Sequence, residues 1–392
     1  MNIEILKIEN LDTARKEIEK IGADKYGVEI MSKKALHRCI KIYNVESKIA
    51  NILKQEMLSI GGDAAVARNV IDFKDKKTDV LLIGTISQYE KLISKLKIQP
   101  FKLKDLSEEI EKIIDVVKYE NRKDRTKIMG ILNVTPDSFY DGNRYLNPEK
   151  AVERFKEIAE YCDIVDIGGE STRPGSEYIS EEEELRRVIP VFEKISEIMK
   201  TLNKKIKISI DTRKAKVAEE CIKRGAEIVN DISALRDDEN MVKVVKDYDT
   251  EVVLMHKKGD PKTMQINPYY ENVIKEISDF FEERINFAIS KGIEKEKIII
   301  DPGIGFGKRL EDNLEILKNL YKFKIFNVPI LIGVSRKSFI GMLTNNIPPE
   351  ERLEGTISAV TIGVMNGADI VRVHDPKEIY KALRIVDAIK NF

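Results

Sequence analysis

The sequence has little that would place the protein in an oxidising compartment, in a membrane or on a nucleic acid. Its only cysteines are Cys39, Cys162 and Cys221, which are widely spaced and form no C-x-x-C pair. Neither a disulfide framework nor a structural zinc site is therefore expected. Lys+Arg and Asp+Glu residues number 67 each, so the basic excess of a general nucleic-acid binder is missing. The first residues lack the apolar centre of a signal peptide, and no apolar run reaches the roughly 18 residues of a membrane span. We expect a soluble, cytoplasmic protein with no nucleic-acid or membrane partner.

The length and the pattern of apolar residues predict two domains. A chain of 392 residues exceeds one typical domain and suits a barrel of ~250 residues with a smaller domain beside it. From residue 127 to residue 392, short apolar runs alternate with amphipathic helical stretches, as parallel βα units do. The strand candidates are residues 127–133, 163–168, 206–211, 227–231, 251–256, 297–302, 329–335 and 369–374. Because eight such units close a barrel, we predict a (β/α)8 TIM barrel over residues 127–392.

Residues 1–120 have a different pattern, which predicts a small α/β domain in front of the barrel. Its strand candidates are residues 3–8, 27–30 and 80–84, and its helix candidates are residues 10–21, 46–60, 86–96 and 103–119. Residues 121–126 are polar and suit a linker. No motif assigns this domain a function, and stability or association is the simplest interpretation.

Polar residues recur where the predicted barrel strands end. In a TIM barrel the active site is formed at the C-terminal ends of the strands. These residues are Asn133, Asp166, Asp211, Asn230, His256, Asp301, Ser335 and the pair Arg372 and His374. Any one of them also suits a helix cap or a satisfied core position, but their recurrence at one end of the strands predicts an active site. On the third strand, Ile208 and Ile210 would face the outer helices while Ser209 and Asp211 point inward.

The loops that follow these strands resemble the dihydropteroate synthase family over residues 127–392. The first two motifs are Met129-Gly-Ile-Leu-Asn-Val-Thr-Pro-Asp-Ser-Phe-Tyr-Asp-Gly142 and Gly168-Gly-Glu-Ser-Thr-Arg-Pro-Gly-Ser176. The others are Ile210-Asp-Thr212, Asn230-Asp-Ile-Ser233, Leu254-Met-His256, Asp301-Pro-Gly-Ile-Gly-Phe-Gly-Lys308, Gly333-Val-Ser-Arg-Lys-Ser-Phe-Ile-Gly341 and Arg372-Val-His374. The resemblance implies a transferase of folate biosynthesis. It would join (7,8-dihydropterin-6-yl)methyl diphosphate to 4-aminobenzoate, with release of diphosphate and 7,8-dihydropteroate, and would be a target of sulfonamides.

The resemblance and the chemistry of the substrates together suggest roles for the residues. A pterin presents alternating donors and acceptors much as guanine does, and carboxylates accept from such N–H groups. Asp211, Asn230 and Asp301 would bind the pterin, with Asp166 beside them. Arg372 and His374 would bind the departing diphosphate. Mg²⁺ is the expected cofactor, with the amide oxygen of Asn133 as its protein ligand.

The second substrate would lie close to Lys337. By resemblance, the Lys337 ammonium contacts the pterin and shapes the arylamine pocket. Thr172, Pro174, Phe306 and Ser335 would line that pocket, and Phe139 would cover it. Arg173 would reach a carboxylate or the diphosphate. The predicted catalytic groups are Lys337, Arg372, His374 and Asp211.

Several alternatives remain open. A pterin-binding methyltransferase would share the carboxylate and amide contacts but has no need of diphosphate ligands, and a non-catalytic binding protein would have no need of the complete set. The acceptor is 4-aminobenzoate or a modified aminobenzene such as a ribosylated aniline. The segment Gly303–Gly307 lacks the G-x-G-x-x-G spacing of a dinucleotide-binding turn. His256 has no chelating partner nearby, so we expect His256 to order its loop rather than bind metal. A homodimer is the expected assembly.

Overall fold

The computed structural model describes residues 3–118, 125–135, 140–141, 145–146, 148–171, 176–202, 204–259, 264 and 266–391. The chain divides into two compact units, Met1–Lys123 and Asp124–Phe392. No helix in the described ranges has both the length and the apolar character needed to cross a membrane.

Within residues 3–118, the first unit is a three-stranded antiparallel sheet with five helices. The strands are β1 (His37–Glu46), β2 (Asp63–Ala65) and β3 (Lys77–Thr85), in the spatial order β1-β3-β2. The helices are α1 (Leu11–Lys20), α2 (Lys25–Ala35), α3 (Ser47–Ser59), α4 (Ile86–Leu96) and α5 (Leu103–Lys118), with a 3₁₀ turn at Arg68–Val70. The helices and the sheet share one apolar core, in which Leu53, Met57 and Leu82 are fully buried. A small α/β unit therefore precedes the barrel.

Two of the strands predicted for this unit are wrong. Residues 3–8 form no strand, and Ile3 and Ile5 are 91% and 96% exposed. Residues 27–30 lie inside α2, whose N-cap Asp24 accepts a hydrogen bond from Gly27 N at 2.9 Å. Short apolar runs cannot be assigned to helix or strand by periodicity alone. The strand β1 was not predicted, because charged and polar residues on its exposed face interrupt its apolar pattern.

The second unit is a closed parallel barrel. Its strands are β4 (Lys127–Asn133), β7 (Ile164–Gly168), β8 (Lys207–Asp211), β9 (Ile228–Asp231), β10 (Glu251–Met255), β11 (Ile298–Asp301), β12 (Leu331–Ile332) and β13 (Ile370–Val373). Two further strands, β5 (Tyr140–Asp141) and β6 (Tyr145–Leu146), form a small antiparallel pair in the loop after β4. The eight barrel strands follow the order β11-β10-β9-β8-β7-β4-β13-β12. A parallel bridge between Ile300 and Ile330 joins the two ends of this sheet, which confirms the predicted (β/α)8 barrel.

Helices follow the barrel strands in the chain. They are α6 (Pro148–Ala159), α7 (Glu181–Met199), α8 (Ala215–Ile222), α9 (Met241–Asp247), α10 (Val273–Ser290), α11 (Leu310–Lys318), α12 (Ser338–Leu343), α13 (Leu353–Met365) and α14 (Pro376–Lys390). Short 3₁₀ turns occupy Lys295–Lys297, Leu320–Phe326 and Pro349–Glu351.

The strands bury one face against the helices and the other inside the barrel. Ile208 and Ile210 belong to the large core between strands and helices, as the alternation in the sequence predicted. A separate layer of apolar side chains fills the barrel itself, and it consists of Met129, Ile164, Ile228, Val253, Ile299, Leu331 and Ile370. Two positions further along four of these strands, the inward residue is polar, and these residues are Asp166, Asn230, Asp301 and Arg372. The packed layer therefore forms a floor beneath a polar mouth at the C-terminal ends of the strands.

Candidate active site

Arg372 connects two buried carboxylates at the mouth of the barrel. Its Nε donates to Asp166 Oδ2 and its Nη2 to Asp211 Oδ2, each at 2.6 Å. Asn230 Nδ2 donates to the same Asp166 oxygen at 2.9 Å. These four residues come from β7, β8, β9 and β13, so closure of the barrel brings together groups that are far apart in the sequence. The structure thus places four of the predicted site residues in one cluster.

The second oxygen of each carboxylate has no partner in the described part of the chain. Asp166 Oδ1 and Asp211 Oδ1 are both buried there without a hydrogen bond. An unsatisfied buried acceptor costs about 1–3 kcal/mol, and more when it is charged. Such groups in a native protein call for an explanation. A ligand that offers N–H donors to this cluster would satisfy both oxygens.

The charges of the cluster depend on each other. Burial raises the pKa of Asp211, and the Arg372 guanidinium opposes that rise. Burial also works against the charge on Arg372, but the Asp166 and Asp211 carboxylates outweigh it and raise the pKa of the guanidinium. We conclude that Arg372 stays charged here, whereas at Asp211 burial outweighs the Arg372 charge, so the pKa of that carboxyl group is raised to about 7.

Asp301 lies at the end of β11, on the other side of the same mouth. Its Oδ1 accepts a hydrogen bond from Gly303 N at 2.7 Å. Burial raises the pKa of Asp301, while the positive charge of Lys337 works in the opposite direction. Like Asp166 and Asp211, this carboxylate is enclosed by protein and directed at the barrel mouth by its strand.

Lys337 approaches from the loop between β12 and α12. Its Nζ donates to the carbonyl of Ile304 and lies 4.6 Å from the centre of the Phe306 ring. Burial lowers the pKa of Lys337 to about 8. A loop lysine is usually solvated, but this one is drawn into the site and is poised to lose its proton slightly above neutral pH.

His374 and Asn133 line a separate cavity of about 210 Å³. The His374 backbone N–H donates to Ser335 Oγ at 3.1 Å, and His374 Nδ1 lies 3.0 Å from the same oxygen. The lining residues are Ile131, Leu132, Asn133, Arg154, Arg336, His374 and Asp375. Arg372, which the sequence grouped with His374, is not among them because its guanidinium is directed at Asp166 and Asp211.

Two arginines of this cavity were missed by the sequence argument. Arg336 makes a forked contact with Asp375, at 2.9 Å through Nε and 2.5 Å through Nη2. It belongs to the Ser-Arg-Lys motif, so the motif itself carried the signal. Arg154 extends from α6 and donates to the His374 carbonyl at 3.0 Å. Nothing in the sequence around Arg154 marks it as a site residue.

The structure leaves part of the predicted site undescribed. Thr172, Arg173, Pro174 and Phe139 lie outside the described residues, so their roles stay predictions. Within the described ranges, no group of three or more His, Cys, Asp and Glu side chains could hold a metal ion.

The chain is similar to known proteins over both units. The family described as pterin binding enzyme matches residues 129–374. The dihydropteroate synthase of Clostridium beijerinckii is 47% identical over 271 residues, which are 69% of this chain and 96% of that protein. The bifunctional dihydropteroate synthase/dihydropteroate reductase of Helicobacter pylori is 34% identical, with 98% of this chain and 99% of that protein covered. A probable bifunctional folylpolyglutamate synthase/dihydropteroate synthase of Halobacterium salinarum is 37% identical over 98% of this chain, which spans only 46% of that relative.

Solved structures agree with these sequence relatives. The Yersinia pestis dihydropteroate synthase in a sulfonamide drug complex has 41% identity and a TM-score of 0.64, covering 68% of this chain and 95% of that one. The Xanthomonas albilineans dihydropteroate synthase with 4-aminobenzoic acid also has 41% identity and a TM-score of 0.64, with 69% and 95% covered.

Proposed function

The chain belongs to the pterin binding enzymes, among the dihydropteroate synthases, and from that premise we propose the reaction it catalyses. It joins the pterinylmethyl group of (7,8-dihydropterin-6-yl)methyl diphosphate to the amino group of 4-aminobenzoate. Diphosphate and 7,8-dihydropteroate are released, which makes the enzyme a transferase of folate biosynthesis. The observation that carries the proposal is the pair of buried, unpartnered oxygens, Asp166 Oδ1 and Asp211 Oδ1.

The polar edge of a pterin suits this pair of oxygens. Its amino group and ring N–H groups are donors, and they would occupy the acceptors that the protein leaves unsatisfied. Asn230 offers both a donor and an acceptor, and Asp301 supplies a further acceptor from β11. Hydrogen bonds from a ligand to a buried charged group are each worth about 1.5–3 kcal/mol. Binding of the pterin would therefore stabilise the site as well as orient the substrate.

The diphosphate would lie in the cavity of Asn133, Arg336, Arg154 and His374. Its charge calls for several donors, and these cationic and imidazole side chains surround the cavity. The single amide oxygen of Asn133 fits a Mg²⁺ ion whose other ligands are diphosphate oxygens and water. When bound with the diphosphate, Mg²⁺ would neutralise charge on the leaving group.

The chemical step needs no nucleophile from the protein. The bond between the exocyclic methylene carbon and the diphosphate oxygen breaks, and its electron pair leaves with the diphosphate. The amine nitrogen forms the new bond to that carbon and then gives up a proton to water. Asp211 and Asp301 favour the positive charge that develops on the pterin, and Lys337 lies where the arylamine would be aligned.

The acceptor, the assembly and the compartment are part of the same proposal. Phe306, Ser335 and Lys337 match the residues expected around 4-aminobenzoate, but a ribosylated aniline is a second candidate acceptor. Exposed apolar side chains on three adjacent helices, α11, α12 and α13, suit a homodimer interface, and they are Leu314, Met342, Leu343, Ile362 and Met365. The cysteines are free thiols, which suits the cytoplasm.

The names of the two relatives that align with nearly all of this chain raise the question of a second activity. One relative is also a dihydropteroate reductase, and the other is a probable folylpolyglutamate synthase. Each aligns with 98% of this chain, including the first unit. Because the activity common to both names is the synthase, we propose that the first unit accompanies the synthase rather than either additional activity.

Diphosphate release tests the proposal directly. The purified protein, pterin diphosphate and Mg²⁺ are mixed with 4-aminobenzoate, with a ribosylated aniline, or with both in competition. Mass spectrometry should detect dihydropteroate, with diphosphate released in equal amount. If neither arylamine reacts and no diphosphate appears, the proposed function is wrong.

A further inference from the structure

Lys308 is a buried lysine that the proposed reaction leaves without a role. It lies at the end of the glycine-rich turn that follows β11, and it is only 3% exposed. Its Nζ lies 3.0 Å from His256 Nδ1, 3.2 Å from the Phe306 carbonyl oxygen and 3.4 Å from the His256 carbonyl oxygen. These three acceptors match the three donors of an ammonium group. Lys308 therefore ties the turn at residues 303–308 to the segment after β10.

The backbone of this turn is already packed against that segment. A Cβ on Gly303 would lie 2.0 Å from the His256 carbonyl oxygen, and one on Gly307 would lie 2.0 Å from the Lys258 carbonyl oxygen. Both glycines have positive φ, +66° and +64°, a conformation that glycine adopts without strain. The two glycines permit the close approach, and the Lys308 ammonium fastens it.

The fastened turn holds two groups that face the arylamine in the proposed reaction. The Ile304 carbonyl accepts a hydrogen bond from Lys337 Nζ, and the Phe306 ring lies beside the same ammonium. We propose that Lys308, together with His256, is a positioning residue for the arylamine, because it fixes the turn on which Phe306 and Lys337 are arranged. This inference rests on the proposed function and adds to it a residue that does not touch either substrate.

The charged groups around Lys308 and His256 explain why a hydrogen bond, rather than an ion pair, joins these two side chains. The charged groups that act on Lys308 are Asp301 at the end of β11, Lys337 before α12, Asp312 on α11 and Lys258 after β10; those that act on His256 are Lys308, Arg236 and Lys258. Burial lowers the pKa of Lys308 to about 7 and holds the pKa of His256 well below its usual value. His256 is then neutral, and the tautomer that carries its proton on Nε2 leaves Nδ1 able to accept from Lys308.

The decisive variant is Lys308→Met, which keeps the length of the side chain and removes its donors. We expect the KM for 4-aminobenzoate to rise about tenfold or more, because small displacements of a positioning group have large kinetic effects. The affinity for a non-reactive pterin, measured by calorimetry, should change by less than about threefold. A general loss of stability is not expected to raise the KM for 4-aminobenzoate while leaving the pterin affinity nearly unchanged.

Lys257→Met is the matched control. Lys257 is also a buried lysine on the segment after β10, but its Nζ pairs with Asp237 at 3.1 Å rather than with the turn. Its KM for the arylamine and its pterin affinity should both stay within about threefold of the wild type. If Lys308→Met fails to fold, His256→Leu removes one acceptor and should raise the same KM, while His256→Asn restores an acceptor near the position of Nδ1 and should reverse most of that rise.

Two results would overturn the inference. One is an unchanged arylamine KM in an active Lys308→Met protein. The other is a loss of pterin affinity as large as the rise in KM, which would assign Lys308 to the pterin site. A wild-type protein that releases no diphosphate would reject the proposed function itself, and the inference with it.

Discussion

Replacing Arg372 with methionine would remove the guanidinium that connects Asp166 and Asp211 while keeping most of the apolar stem. Each contact is 2.6 Å long, and the two carboxylates are 0% and 7% exposed. Breaking a buried ion pair from one side costs about 3–5 kcal/mol, because the partner is left as an uncompensated buried charge. We expect Arg372→Met to destabilise the barrel by this amount. It should also weaken pterin binding as well as turnover, since the carboxylates would no longer be held in place.

A double-mutant cycle with Asp211→Asn separates this effect from a simple loss of packing. In the double variant, a neutral amide replaces the Asp211 carboxylate, which has lost its Arg372 partner. The second substitution should therefore restore part of the lost free energy of unfolding. We expect the double variant to be about 0.5–3 kcal/mol more stable than the sum of the single effects predicts, the usual range for residues in contact. The free energy of unfolding of the barrel would be measured by urea titration at about pH 9, above the pKa of about 7 that burial gives Asp211 in the wild type, with calorimetry to resolve the two units.

The pH dependence gives a second check. Without Arg372 the folded-state pKa of Asp211 should rise further above its unfolded value. The folded barrel then holds the Asp211 proton more tightly than the unfolded chain does, so the variant loses stability as pH rises through the folded-state pKa. The defect of Arg372→Met should therefore shrink as pH falls. As a control, Lys243→Met breaks an ion pair with Asp247 in which the two side chains are 78% and 49% exposed, and the unfolding midpoint should hardly move. Additive single effects with no pH dependence would refute this account of the cluster.

Further predictions concern the substrates and the first unit. Asp301→Asn places a donor where the pterin needs an acceptor, and calorimetry should show about 10–100-fold weaker binding of a non-reactive pterin, while unchanged affinity would reject the role. Because burial raises the pKa of Asp211 to about 7, pterin affinity in the wild type should fall as pH drops below 7, since a protonated Asp211 oxygen is a donor where the pterin needs an acceptor. A flat profile from pH 8 to pH 5 would contradict this. Sulfonamides present the same aniline, so they should compete with the arylamine and form a pterin–sulfonamide adduct visible by mass spectrometry. If 4-aminobenzoate reacts but sulfonamides neither compete nor form the adduct, the predicted arylamine pocket is wrong. A shortened protein that starts near Arg122 should keep its turnover, and inactivity in a folded sample would show that the first unit contributes to the site.

The barrel was predictable because its strands and its site obey the same geometry. Each strand is a short apolar run, and the inward residue at its C-terminal end is polar, as at Asp211 on β8 and Arg372 on β13. Closure then brings those ends to one mouth of the barrel whatever their separation in sequence. Four of them form the cluster at Arg372, and Asn133 and His374 line a separate cavity. The pairing within the cluster was not predictable. Sequence order grouped Arg372 with His374, but the guanidinium is directed across the barrel at two carboxylates, because side-chain direction depends on partners from other strands.

The first unit was less predictable, because no closed barrel constrains where its strands lie. In the first unit, residues 3–8 have the apolar residues of a strand but no neighbouring strand to pair with, while β1 forms because β3 pairs with it from His37 to Glu46. Lys308 shows a comparable limit inside the barrel. A lysine after a glycine-rich turn is expected in solvent, and only the packing of Gly303 and Gly307 against the preceding loop explains its burial. The glycines were visible in the sequence, but the backbone that they approach was not. Residues that touch substrate can thus be found from strand ends and motifs, whereas residues that position them must be read from contacts between loops.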